Sequence, residues 1–168
     1  MERKKAQIWV ETVVYTLIGI SIIGILLAIA TPRINEMRDR LIIDQTIDSF
    51  NEIHGRIVEI QGAPGNQRTL GLKLSRGNLI IDAEENEIRW QMTSNYLYSQ
   101  PGTPVSVGRI AVLTEESNPY TIYLTLSYPN LNLTVSDQET IRELGESPTQ
   151  YNLIFQNKGS GRINIEVS

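Results

Sequence analysis

Apolar residues fall along this chain in three regimes. From Val13 to Ala30 they run almost unbroken for 18 residues, the length of a membrane-crossing helix of ~17–25 residues. From Ile34 to Ile60 they recur mostly every third or fourth position: Ile34, Met37, Leu41, then after a gap of six Ile47, Phe50, Ile53, Ile57 and Ile60. That period predicts an amphipathic helix, with Arg38, Asp39, Arg40, Asp44, Asp48, Glu52 and Arg56 between the apolar positions. Gly62-Ala63-Pro64-Gly65-Asn66 stops it. Pro32 sits at the junction of the two helical regimes, where a missing N–H either kinks or breaks the axis.

Beyond residue 69 the period becomes two. Leu70–Leu74, Asn78–Asp82 and Glu87–Met92 alternate and predict an antiparallel meander. Val105–Thr114, Tyr120–Tyr128 and Leu131–Val135 are the next strands, and Gln138–Leu144 is expected as a short helical turn. Tyr151–Gln156 and Arg162–Val167 form a last hairpin around the loop Asn157–Gly161. The fold class expected is therefore α+β: one long N-terminal helix, membrane-spanning then amphipathic, followed by an eight-stranded antiparallel β-sandwich-like domain. The domain boundaries expected are a leader at 1–6, the helix at 7–61 (apolar 8–31, stalk 33–61), a linker at 62–68 and the β domain at 69–168. A helix of that extent would run about 80 Å, against ~30 Å of hydrocarbon.

Charge orients the apolar run. Arg3, Lys4 and Lys5 precede it and favour the cytoplasmic side, so the N-terminus is expected inside and the β domain outside. Trp9 and Tyr15 would anchor at the interface. Ala28-Ile29-Ala30 has the small-x-small form of an ordinary signal cleavage site, but the apolar run exceeds the ~7–15 residues of such a signal.

One carboxylate, Glu11, stands near the start of this run. An acid at the centre of a membrane helix costs ~2.5–3.5 kcal/mol, less near an end. Glu11 either rests at headgroup level or awaits a cation. A cut between Ala6 and Gln7 would supply one, because the new α-ammonium of Gln7 lies one helical turn from Glu11.

Lys4-Lys5-Ala6-Gln7, Ile8-Trp9-Val10-Glu11 and the apolar helix after them resemble the class III signal of type IV pilins, in particular of archaeal pilins and archaellins. Ala6 occupies the small-residue position, where glycine is commoner. The resemblance covers about 30 of 168 residues. It implies processing by a prepilin peptidase at Ala6–Gln7, and a mature chain that keeps its helix and polymerises with copies of itself. Glu11 would pair with the Gln7 ammonium, and Val13, Val14, Leu17, Ile18, Ile20, Ile22, Ile23, Ile25, Leu26, Leu27 and Ile29 would form a filament core. Pro32 would be the kink. It further implies an assembly ATPase and a membrane platform protein as partners, and a membrane-inserted precursor that becomes a surface filament serving adhesion, motility or uptake. A minor pilin of a secretion or uptake machine, or a monomeric signal-anchored protein with a binding domain, fits the same residues.

The remaining residues narrow the chemistry. Net charge is −4 with no basic stripe, which speaks against nucleic acid. With no cysteine, disulfides and thiolate metal sites are excluded. The single histidine, His54, lies on the stalk without a nucleophile in motif spacing, no phosphate loop precedes a helix, and no enzyme or cofactor is expected. Asp82, Glu84, Glu85 and Glu87 form an acidic turn without the calcium-loop signature. Asn132-Leu133-Thr134 is a glycosylation sequon, and Gly24 and Ala28 could admit a neighbouring helix.

Overall fold

A computed structural model describes the backbone from Glu2 onward and the side chains from Trp9 to Ser168. It divides into two compact units, residues 1–38 and 39–168. The predicted class holds: one helix, α1 (Glu2–Gln61), precedes ten strands in two sheets. α1 passes through Pro32 without interruption, which excludes a break there.

Within the second unit, the C-terminal part of α1 contributes Ile43, Ile47, Phe50, Ile53, Ile57 and Ile60 to one continuous core. The predicted stripe needs correcting at its start. Ile34, Met37 and Leu41 are exposed, whereas Ile43 and Asp39 are buried. The six-residue gap between Leu41 and Ile47 is the reason. It is out of step with two turns of 3.6 residues, so the two halves of the pattern lie on different faces of one helix.

The four-stranded sheet has the order β1-β9-β10-β7, formed by β1 (Gln67–Leu72), β9 (Tyr151–Gly159), β10 (Arg162–Val167) and β7 (Asn132–Val135). The six-stranded sheet has the order β4-β5-β6-β3-β2-β8, from β4 (Val105–Val107), β5 (Ile110–Glu115), β6 (Tyr120–Ser127), β3 (Glu87–Ser94), β2 (Asn78–Asp82) and β8 (Ile141–Leu144). Alternate residues of both sheets share the core with α1: Leu70, Leu153, Phe155, Ile163 and Ile165 from the first, Leu79, Ile88, Trp90, Ile122 and Leu124 from the second.

Several strand expectations change. The meander is only half right: β2 and β3 pair, with Leu79 opposite Trp90, but β1 joins the other sheet, with Leu70 opposite Leu153. The chain changes sheets over residues 73–77, and Gly77 at φ +80° makes the turn. The expected strand Val105–Thr114 is split by Gly108 at φ +62° into β4 and β5. Gln138–Leu144 does not form a helical turn; β8 occupies its end and pairs with the free edge of β2, Ile141 opposite Asp82. Backbone pairing there overrides a weak local preference. The last hairpin turns on Ser160-Gly161, both at positive φ, rather than on a five-residue loop. One pair departs from the antiparallel expectation: β10 and β7 run parallel, Ile163 opposite Leu133.

The end of α1 is fastened by a side chain from β9. Asn157 Nδ2 donates to the Ile60 carbonyl at 2.8 Å and to that of Ala63 at 3.2 Å. These satisfy carbonyls that a helix terminus leaves without a helical donor. Asn66 and Gly65 continue the attachment through main-chain bonds to Asn157 at 2.9 and 2.8 Å.

Candidate functional site

The distinctive surface is the N-terminal part of α1. Every described residue from Trp9 to Ile34 is exposed, including each of the core-forming apolar positions predicted from Val13 to Ile29. A helix that is apolar on all sides is stable only when something apolar surrounds it. Among the described residues, α1 is the one helix long and apolar enough to cross a membrane, as a span or a signal anchor.

Its polar side chains are largely accommodated by the helix itself. Thr16 Oγ1 donates to the Thr12 carbonyl at 2.8 Å, Ser21 Oγ to Leu17 at 2.7 Å and Thr31 Oγ1 to Leu27 at 2.7 Å. Such back-bonding lets a hydroxyl enter an apolar medium without an unmet donor. Glu11 is the one charged side chain from Trp9 to Pro32, and it is exposed on the helix surface. The predicted processing positions Ala6 and Gln7 lie outside the residues whose side chains are described. A Cβ added at Gly19 or Gly24 would meet nothing, so neither glycine is required by packing within the chain.

The second unit, residues 39–168, holds the other candidates. His54 is half-buried, its Nδ1 is 3.3 Å from the Tyr128 hydroxyl, and the two rings stack with centroids 6.0 Å apart. Burial, followed by the nearby positive charge of Arg109, holds the imidazole below its ordinary pKa. Burial pushes the Tyr128 phenol up. Among the described residues, Tyr128 is the one side-chain hydrogen-bond partner of His54.

The acidic turn is organised within itself. Asp82 is buried, accepts the Glu85 N–H at 3.0 Å and pairs with Arg89 at 2.6 Å. Among the described residues no group of three or more His, Cys, Asp or Glu side chains converges to hold a metal ion. Asn132 is exposed at the start of β7, with Nδ2 donating to Glu139 at 3.1 Å. The sequon's Thr134, however, is buried and bonded to Asn164 Oδ1 at 3.1 Å.

Two features were missed in the sequence. Asp39 is an acid in phase with Ile43 and Phe50 on the buried face of α1, paired with Arg76 and bonded to Asn95. Asn157 lay in an expected loop, yet it closes the end of the helix. Only the phase of position 39 relative to the later isoleucines could have flagged the first.

Compared with protein-family models, characterised proteins and solved structures, the chain gives no match.

Proposed function

We propose that this chain is a structural subunit of a type IV pilus-like filament, cut between Ala6 and Gln7 and polymerised through its apolar helix. The observation that carries this reading is the contrast along α1. One face of its C-terminal part is buried in the core of the second unit, while the apolar part from Trp9 to Ile34 is exposed among the described residues. The second medium is supplied by copies of the same helix. Lipid is about as apolar as a core of packed helices, so leaving the membrane gains little hydrophobic free energy by itself. Assembly therefore calls for a motor, in keeping with the ATPase and platform protein of the family resembled.

Glu11 gives the reading its chemistry. A carboxylate moving into an apolar helix array needs a neutralising cation. The ammonium released at Gln7 supplies it and sets the axial register of neighbouring helices. A monomeric signal-anchored protein would use the same apolar helix and have no need of Glu11, and a minor pilin would share the chemistry while capping or priming a filament.

The test is N-terminal sequencing of material sheared from the cell surface. A start at Gln7 in a sedimentable polymer is the expected result. An intact Met1 confined to the membrane fraction overturns the reading. The variant Glu11→Leu is expected to insert normally and fail to assemble, and normal filaments from it would remove the pairing role.

A further inference from the structure

The filament reading leaves the sequon Asn132-Leu133-Thr134 unused, and the fold treats its two ends differently. Asn132 opens β7 and is exposed. Its Nδ2 donates to Glu139, also exposed, at 3.1 Å. β7 stands at the end of its sheet, so no strand lies beyond it. An asparagine amide carries two N–H donors. A sugar on Nδ2 would take the place of one, project into solvent and leave the other for Glu139.

Thr134 lies on the same face of the strand, two residues on, and it is closed. It is buried, and its Oγ1 donates to Asn164 Oδ1 at 3.1 Å. The same oxygen accepts the Asp137 N–H at 2.7 Å. Asn164 is fully buried on β10, directly opposite Thr134 in the parallel pair. Its Nδ2 is held in turn by Gln156 and Glu166, both at 3.3 Å. The hydroxyl is thus locked by a side chain that lies 30 residues later in the chain. An acceptor motif of this kind is read as a whole, the hydroxyl together with the amide, on an accessible segment.

We propose that Asn132 is an N-glycosylation site open only until β10 docks. The oligosaccharide is attached to the incoming, still unpaired chain. Pairing of β7 with β10 then hides the hydroxyl and leaves the sugar outside. In the transfer, Asn132 Nδ2 attacks the anomeric carbon of an oligosaccharide carried on a lipid diphosphate. A C–N bond forms, the bond from that carbon to the phosphate oxygen breaks, Nδ2 gives up one proton, and the lipid diphosphate leaves. After folding, β7 must first open, so transfer slows by the fraction of time the pair is open. The site rests on the filament reading, in which the second unit is delivered outside.

The test is cell-free synthesis of the full chain into membrane vesicles that hold an oligosaccharyltransferase and its lipid-diphosphate donor, read by intact mass. A long flexible C-terminal tail carrying a second sequon is the control. The chain is expected to gain glycans at Asn132 and on the tail. Asn132→Gln and Thr134→Val should gain the tail glycan alone, and Thr134→Ser should gain both. The same chain made without glycan, folded in detergent and then given enzyme and donor, should be modified on the tail but several-fold less at Asn132. Asn164→Ala should raise that late modification several-fold. A glycosylated tail with Asn132 bare in the newly made chain overturns the site. Modification of Asn132 as readily after folding as before overturns the timing. No rise with Asn164→Ala, while the tail reacts, overturns the lock. A bare tail on chains inserted in the vesicle membrane overturns the outward orientation of the filament reading, and the site with it.

Discussion

Asp39 and Asn95 are joined by two hydrogen bonds to one carboxylate oxygen: the Asn95 main-chain N–H at 2.7 Å and its Nδ2 at 3.0 Å. The other oxygen accepts from Arg76. Only 1% of Asp39 is exposed, so the acid is tolerated on the core face of α1 because both of its oxygens are hydrogen-bonded. Asp39→Ala should lower stability by about 3 kcal/mol, the lower end for breaking a buried pair, since Arg76 is itself part-exposed. Asp39→Asn should lose less. Urea unfolding of the full chain in detergent, followed by the fluorescence of core Trp90, measures both; a loss below about 0.5 kcal/mol for Asp39→Ala would be falsifying.

Asn157 is expected to matter as much as a core residue. Asn157→Ala leaves the Ile60 carbonyl unpaired in a buried place, at a cost of about 2 kcal/mol. Asn157→Asp keeps the size but presents an acceptor to a carbonyl, and it should be the worse of the two. The same unfolding measurement ranks them; the opposite order would show that Nδ2 is not what holds the helix end.

Gly77 and Gly102 share a left-handed backbone, at φ +80° and +73°, and differ in their surroundings. A Cβ at Gly77 would lie 2.4 Å from the Gln91 carbonyl oxygen and 2.8 Å from Trp90 Nε1, whereas one at Gly102 would meet nothing. Gly102→Ala should cost about 1 kcal/mol, from backbone strain alone. Gly77→Ala should cost clearly more, because Trp90 must shift as well. Equal midpoints for the two variants would contradict the close approach.

His54, on α1, should make the second unit acid-sensitive. Burial and Arg109 disfavour its charged form, so the folded pKa lies below the ordinary value of 6.5. The unfolded chain then binds a proton more readily than the folded one. Stability from this residue is present above pH 6.5 and is lost as pH falls from there through the folded pKa. His54→Gln should remove that component. The check is the unfolding midpoint at pH 8 and pH 5 for both proteins; an identical acid loss in the variant would assign the sensitivity elsewhere.

The helix was legible because residues 13–30 are an almost unbroken apolar run and Ile47, Phe50, Ile53, Ile57 and Ile60 keep a spacing of three or four, and the alternation from Leu70 onward was enough for the class of the domain. What escaped depended on contacts distant in sequence. Nothing near Leu70 says that it faces Leu153, and nothing near Ile141 says that it extends the edge of β2. The acid Asp39 looked like a solvated charge because its partners, Arg76 and Asn95, come from loops far along the chain. Glu11, by contrast, was conspicuous at once, being a lone charge in an apolar run.

The pairing of β1 with β9 also sets a schedule. The strand that follows the helix finds its neighbour only when residues near 155 exist, and β9 is bounded in turn by β10. Until then Phe50, Ile53 and Ile57 have no complete wall to lie against. Contacts this distant in sequence form slowly. A nascent chain therefore displays two greasy surfaces in succession: the first is the apolar N-terminal run of α1, and the second, the buried stripe of its C-terminal part, must wait for the last quarter of the polypeptide to be covered.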